Sequence, residues 1–330
     1  PWHDASSVTA PIIAEEPRRT VEHGDIAVVG GGAAGLASAI FAAREVRARG
    51  LERRRILVLE GARSIGAKIL VSGGTRCNVT NARVEAGDFW RPGSAFVRQV
   101  LRAFPVAETR AFFEEIGVAL KEEPLGKLFP VTNRSRTVVD ALLAETRRLG
   151  IEIETSRRVL DLRSSDGVYE IATSRGVVLA PRVVLATGGL SLPKTGSDGA
   201  GYRLAKSLGH SIVQPVPALE PLVLSGTFHS ALSGIAHEAA IRAAREGDKP
   251  VIVKGSVLWT HFGISGPAAL DVSRFYRRAR AEGASATMTM SFVPERTPED
   301  IDRELLRMNR EAPHSKAASE LSRRFGLPQG

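Results

Sequence analysis

Residues 26–43 read IAVVGGGAAGLASAIFAA. They are uncharged throughout and long enough to raise the question of a membrane helix, and Gly31 and Gly35 stand in the GxxxG spacing of packed membrane helices. Three adjacent glycines, however, weaken any helix drawn through them. Divided at the glycines, the run becomes a strand, DIAVV (25–29), a tight turn and a helix, AAGLASAIFAAREVRA (33–48). The divided reading makes this an α/β segment, and no membrane association is expected.

Gly30, Gly32 and Gly35 then form G-x-G-x-x-G at the strand–helix junction, and RILVLE (55–60) supplies a second strand ending in Glu60. Glycines at this spacing are common by themselves. In the order strand, glycines, helix, strand and acid they mark a dinucleotide site. Gly30 permits the turn, and Gly32 lets a pyrophosphate approach the helix N-terminus, where Ala33 and Ala34 follow. Gly35 lets the helix pack closely on the strand. Glu60 is placed to accept hydrogen bonds from ribose hydroxyls. It stands farther along than is usual because REVRARGLERRR (44–55) lengthens the helix and its exit loop.

The totals agree with a globular protein. With 330 residues, 43% of them hydrophobic, the chain can bury a sizeable core and form two domains. Its net charge of +9 is dispersed among acids, which reads as a solvated basic surface, so a nucleic-acid partner is not expected. Aromatics at 5% give few stacking platforms for single strands. A single cysteine excludes an internal disulfide framework and suits a reducing cytoplasm. The histidines form no HExxH or close ligand pair, and one thiol cannot build a thiolate zinc site, so no metal is expected. Residues 1–24 carry prolines and charges without a signal-length apolar run and are expected to form a flexible arm. A start at Pro1 suggests a trimmed form.

Farther on, AFVRQVLRAF (95–104), VAETRAFFEEIG (106–117) and RTVVDALLAETRRLG (136–150) read as helices, the last capped by Gly150. LKEEPLGKLFPV (120–131) reads as a hairpin, and GIEIETSRRVLDLRSSDGVYEIATSRG (150–176) as a small β-meander. VVLAT (183–187) is a strand running into Gly188 and Gly189. Beyond residue 190 the texture changes to strand-like pieces, SIVQPVPALEPLVL (211–224), EAAIRAA (238–244), VIVKGSVLWTHFGISG (251–266) and ATMTMSFV (286–293). The expected organisation is an arm (1–24), an α/β domain (25–190), an inserted β-rich domain with a partly closed sheet (191–295) and its helical part (296–330).

One stretch resists assignment to helix or core strand: ILVSGGTRCNVTN (69–81). Paired glycines and β-branched residues oppose a helix, and the run is too polar for a buried strand. Gly73 and Gly74 can expose backbone N–H groups as an anion nest, with Lys68 and Arg76 supplying positive charge. Taken with GKLFPVTNRSRTVVDAL (126–142), ATGGLSLPKTGSDGAGYRLAKSLGH (186–210) and THFGISGPAAL (260–270), it resembles the HI0933-like family of bacterial flavoproteins. The resemblance runs from about residue 25 to the end. It places the chain among two-dinucleotide-binding-domain flavoproteins and NAD(P)/FAD-dependent oxidoreductases, some members of which are assigned to bile-acid dehydroxylation or aminoacetone oxidation.

The resemblance implies an α/β, Rossmann-like FAD-binding domain with a central parallel sheet and small β-meander, plus an inserted β-rich domain with a helical section. It implies FAD as cofactor, with Lys68, Ser72, Gly73, Gly74, Arg76, Cys77 and Asn78 clasping the flavin. Val159 would meet the adenine through its backbone, and Thr187, Gly188 and Gly189 would line the dinucleotide from the other side. It also implies a return to the FAD domain through a Gly-rich C-terminal segment, whereas this sequence stops at RRFGLPQG (323–330), so a longer natural form or a truncated relative is expected.

Cys77 has no CxxC partner, which leaves two readings open: a pocket-lining residue, or a redox or catalytic thiol. His261, in THFGISG, is either structural or a proton donor or substrate contact. Ser265 and Pro267 suit the cap and first turn of a helix. No second G-x-G-x-x-G follows a strand, so NAD(P)H would dock transiently or another reductant serves. The expected function is an FAD-dependent oxidoreductase moving hydride between flavin and a small organic substrate. The alternatives are a flavin-bearing RNA-binding or RNA-modifying protein and an inactive truncated relative.

Overall fold

The structure, a computed structural model, describes residues 20–89, 95–245 and 247–328. They form two compact units that divide between Ile212 and Val213. In chain order the first holds β1 (Val21–His23), β2 (Ile26–Val29), α1 (Ala33–Ala48), β3 (Ile56–Leu59), α2 (Ala67–Val71), β4 (Thr80–Asn81), α3 (Ala95–Ala103) and α4 (Val106–Glu115). It continues with β5 (Leu120–Glu123), β6 (Lys127–Pro130), α5 (Ser135–Leu149), β7 (Glu152–Glu154), β8 (Val159–Ser165), β9 (Val168–Thr173), β10 (Gly176–Ala180), β11 (Val183–Leu185) and α6 (Ala200–Ser207).

Four strands in the order β11-β2-β3-β7 pair in parallel. The apolar runs of β2 and β3 are unbroken because both of their faces are covered. Val28 and Val58 face one way, onto Leu36, Ala39 and Ile40 of α1 and Val138, Val139 and Leu142 of α5. Ala27, Val29, Leu57 and Leu59 face the other way, onto Leu162 of β8, Ile171 of β9, Val178 of β10 and Leu204 of α6. Leu36 and Ile40 are fully buried, each worth about 1.5–3 kcal/mol of transfer free energy. Arg44 of α1 also pairs with Glu145 of α5 at 2.7 Å. These contacts fix α1 over the sheet, and with it the glycine turn that precedes it.

Several elements depart from the sequence reading. Only the first part of the expected arm lies outside the described residues, since Val21–His23 pairs in parallel with Val177–Leu179 of β10. Strand β7 is not part of the meander. It extends the parallel sheet beside β3, and its alternation reflects an edge strand with one covered face. The antiparallel sheet is β1-β10-β9-β8. Ile69–Val71 closes the short helix α2, so helix enters the stretch at 69–81 and ends at Ser72, just before the paired glycines. The strand read as VVLAT covers only Val183–Leu185. Residues 191–212, expected in the inserted domain, fall within the first unit, where α6 packs Leu204 under the meander.

The second unit holds β12 (Leu222–Val223), β13 (Ala236–Arg245), β14 (Val251–Thr260), β15 (Gly263–Ser265), α7 (Pro267–Ala281), β16 (Ala286–Ser291), α8 (Pro298–Glu311) and α9 (Ala317–Phe325). Its antiparallel sheet runs β12-β15-β14-β13-β16. Among the described residues no ladder joins β12 to β16, so this sheet is open rather than partly closed. Of SIVQPVPALEPLVL only Leu222–Val223 is strand, because Pro215, Pro217 and Pro221 remove ladder donors. Helix α7 is capped by Gly266, not by Ser265, which belongs to β15; Pro267 takes the first turn as expected.

Candidate cofactor site

The turn between β2 and α1 is built by close approach. Gly30 has φ +109°, and a Cβ there would lie 2.5 Å from the Ala186 carbonyl oxygen at the end of β11. A Cβ on Gly35 would lie 1.8 Å from the Gly30 oxygen. Gly32 differs: a Cβ on it would meet nothing within 4 Å, because it faces a cavity of about 710 Å³. Gly32 is also the N-cap of α1. No side chain caps that end and no acid stands in its first turn, so a 16-residue helix presents its positive end to the cavity through Gly32, Ala33 and Ala34.

Glu60, at the exit of β3, lines the same cavity. Its Oε2 accepts from the Gly31 N–H and its Oε1 from the Ala62 N–H, both at 2.7 Å. The carboxylate ties the glycine turn to the end of β3. Across the cavity stand Thr187 and Gly188, delivered by β11, and Val159, the first residue of β8. Gly35 and Gly189 are not in the wall. Gly35 serves the helix–strand contact, and a Cβ on Gly189 would come within 2.9 Å of the Tyr202 hydroxyl.

The turn after α2 contributes side chains. Ser72, Cys77 and Asn78 line the cavity, as does Lys68 of α2, whose Nζ donates to the Ser191 hydroxyl. Gly73, Gly74, Thr75 and Cys77 all have left-handed backbone, with φ of 55°, 66°, 69° and 64°. For a β-branched threonine that conformation is strained. Hydrogen bonds from Cys77 N–H to the Ser72 oxygen and from Ser135 N–H to the Thr75 oxygen, both 3.0 Å, hold the loop. Burial pushes the Cys77 thiol pKa up, against a smaller opposing effect of the Ser72 hydrogen bond. The thiol is therefore protonated at neutral pH.

Three residues expected beside the flavin do not face the cavity. Gly73 and Gly74 shape the loop, and Gly73 packs against Asn78 and the Phe129 ring. Arg76 donates to both Glu123 oxygens at 2.8 and 2.9 Å and lies 4.1 Å from the Phe129 ring centroid. Its charge is spent on the β5–β6 hairpin, which a reading of residue types alone does not reveal. His261 is exposed in the turn between β14 and β15 of the second unit, with its backbone oxygen accepting from Ser230 at 3.1 Å. Among the described residues no helix is long and apolar enough to cross a membrane.

A family model, the HI0933-like protein Rossmann domain, matches residues 24–293. The chain belongs to the HI0933-like family. It is 33% identical over 270 residues to the 3-dehydro-bile acid delta(4,6)-reductase of Clostridium scindens, covering 82% of this chain and 64% of that protein. To the ribosomal RNA dihydrouridine synthase of Escherichia coli it is 28% identical over 257 residues, covering 78% and 62%. The chain thus spans less than two thirds of the length of either relative. Among solved structures it is similar to the open conformation of a flavocytochrome c3 fumarate reductase at 17% identity and a TM-score of 0.42, covering 66% of this chain and 47% of that one.

Within this HI0933-like domain, sequence reasoning missed part of the wall. Arg158, Ser197 and Asp198 line the cavity near Val159, and Phe41, Phe104 and Phe112 line its apolar side. The aromatics are legible only as core residues. Asp198 carries a turn signal, SDG, and its Oδ1 does accept from Ala200 N–H at 3.0 Å to start α6. Nothing in the sequence announces Arg158, whose neighbour Arg157 is 3% exposed and pairs with Glu22 and Glu154.

Proposed function

We propose that this chain is the dinucleotide-holding part of an FAD-dependent oxidoreductase that reduces a small organic substrate, with NAD(P)H as a transient reductant. The observation that carries the proposal is the uncapped N-terminus of α1 opening, through a glycine with no neighbour on its side-chain face, onto a cavity with an acid at the end of the next strand. Its volume lies inside the roughly 300–1,000 Å³ range of ligand pockets. The residues fit the group: Gly32, Ala33 and Ala34 would take the pyrophosphate, Val159 the adenine, and Lys68, Ser72, Cys77 and Asn78 the flavin end, with Thr187 and Gly188 opposite. Glu60 would take the ribose by exchanging one of its two backbone donors.

FAD, when bound, supplies two-electron hydride chemistry. The chain's own residues bind, orient and hold protons. Buried and protonated, the Cys77 thiol suits a proton-holding group on the cavity wall better than a thiolate nucleophile. The name of the Clostridium scindens relative, a reductase of a bile-acid derivative, supports a small organic substrate.

A second reading, reduction of a base in RNA, draws on the name of the Escherichia coli relative and on the net charge of +9. One experiment separates the two. Purified protein reconstituted with FAD is reduced with NADH or NADPH without oxygen, and reoxidation of the flavin absorbance is followed with conjugated ketones or with ribosomal RNA. Reoxidation by the ketones alone supports the first reading and by RNA alone the second. A protein that takes up no FAD overturns both.

A further inference from the structure

Arg158 is a charged residue of the cavity wall with no part in the proposed function. Its backbone is pinned to the β9–β10 turn, its N–H donating to the Ser174 hydroxyl at 3.1 Å and its oxygen accepting from Ser174 N–H at 2.9 Å. The stem of its side chain runs along Gly61, where a Cβ would come within 3.4 Å of both Arg158 Cβ and Cγ. A Cβ at 61 would thus only touch the stem of the arginine, which lies directly beside Glu60. At its far end the guanidinium donates to Asp198 Oδ2 at 2.5 Å, while Asp198 Oδ1 is fixed by Ala200 N–H. The side chain spans from the exit of β3 to the start of α6, across the Glu60 end of the cavity.

Among the described residues no aromatic side chain lines that end. The aromatics that line the cavity, Phe41, Phe104, Phe112 and Phe113, belong to α1, to α4 and to the segment before α4. Phe41 alone stands nine residues along α1 from Gly32, about 13 Å at 1.5 Å per residue. A flat partner would favour a purine held at the Glu60–Val159 end, and a guanidinium held in one plane stacks on aromatic faces as an ammonium does not. Half of the Arg158 side chain remains exposed, so the Asp198 pair orients the group without sealing it from a ligand.

Resting on the FAD reading, we infer that Arg158, oriented by Asp198, is the stacking platform for the adenine base, so that recognition of the nucleotide half of FAD depends on this arginine and recognition of the flavin half does not. The test is calorimetric titration of the 330-residue chain and its variants with FAD, ADP and riboflavin, with circular dichroism as a check on folding. Arg158→Ala should weaken FAD and ADP at least about tenfold and leave riboflavin within about twofold. Arg158→Lys, which keeps the charge and loses the plane, should lose as much as alanine. Unchanged FAD affinity in Arg158→Ala, full recovery in Arg158→Lys, or an equal loss for riboflavin each overturns the inference while leaving FAD binding standing. An unmodified chain that binds no FAD overturns the FAD reading and this inference together.

Discussion

Two glycine-rich turns border the cavity, and they use glycine for opposite purposes. In the turn at Gly30–Gly35 two glycines are there because backbone meets backbone, Gly30 against Ala186 and Gly35 against Gly30, while Gly32 opens onto the cavity. What faces the cavity is main chain and the end of a helix. In the turn at Ser72–Asn78 the glycines are turned away, and their left-handed conformations serve to aim Ser72, Cys77 and Asn78 at the cavity. The first turn is a contact made of peptide groups. The second is a holder for side chains.

The largest test of this difference is Gly35→Val. With a carbonyl oxygen 1.8 Å from the new Cβ and no side chain able to yield, α1 must lift from the sheet. A loss of about 3 kcal/mol is expected in denaturant unfolding, and an unchanged midpoint would mean the helix does not pack as described. Gly32→Val should do the reverse. Folding stability should fall by no more than about 1 kcal/mol, the cost of valine at an N-cap, because the new side chain enters open space, while FAD affinity falls at least about 100-fold, or 2.7 kcal/mol. Titration showing parental affinity would remove this turn from the proposed site.

The second turn should respond more gently. Gly74→Ala meets no neighbour but must hold φ +66°, which costs about 1–2 kcal/mol of stability; FAD affinity should not move. Arg76→Ala is expected to be the smallest, about 0.2–1 kcal/mol for a half-exposed ion pair, with FAD affinity within about twofold. A tenfold loss of affinity in that variant would show that the arginine leaves Glu123 for the cofactor, and the contrast between the turns would fail.

The same contrast explains what the sequence made legible. Backbone roles leave strong traces, because only glycine tolerates them and their spacing is fixed: the strand, turn, helix and Glu60 stand where 26–60 places them, and α5 ends at Gly150 with φ +72°. Side-chain direction leaves few traces. Arg76 and Lys68 look alike in sequence, yet one turns to Glu123 and the other to the cavity. Arg157 and Arg158 are adjacent, and one is buried between sheets while the other crosses the cavity mouth. Pairing partners are equally hidden, so the sequence alone puts β7 in the meander and residues 21–23 in a loose arm: alternation sets a strand's faces but not its neighbour.

The contact between Gly30 and Ala186 joins the two ends of the first unit's sequence, since β11 pairs Val183 with Ala27. Chain entropy makes such a closure late, after the helices and the meander have formed from near neighbours. On a ribosome adding about 5–20 residues per second, a separation of roughly 150 residues delays that closure by on the order of 10 s. Throughout that interval the glycine turn has no opposite wall. If FAD binds as proposed, a nascent chain recognises its nucleotide only once nearly the whole first unit has emerged, and cofactor capture becomes a report that synthesis of that unit is complete.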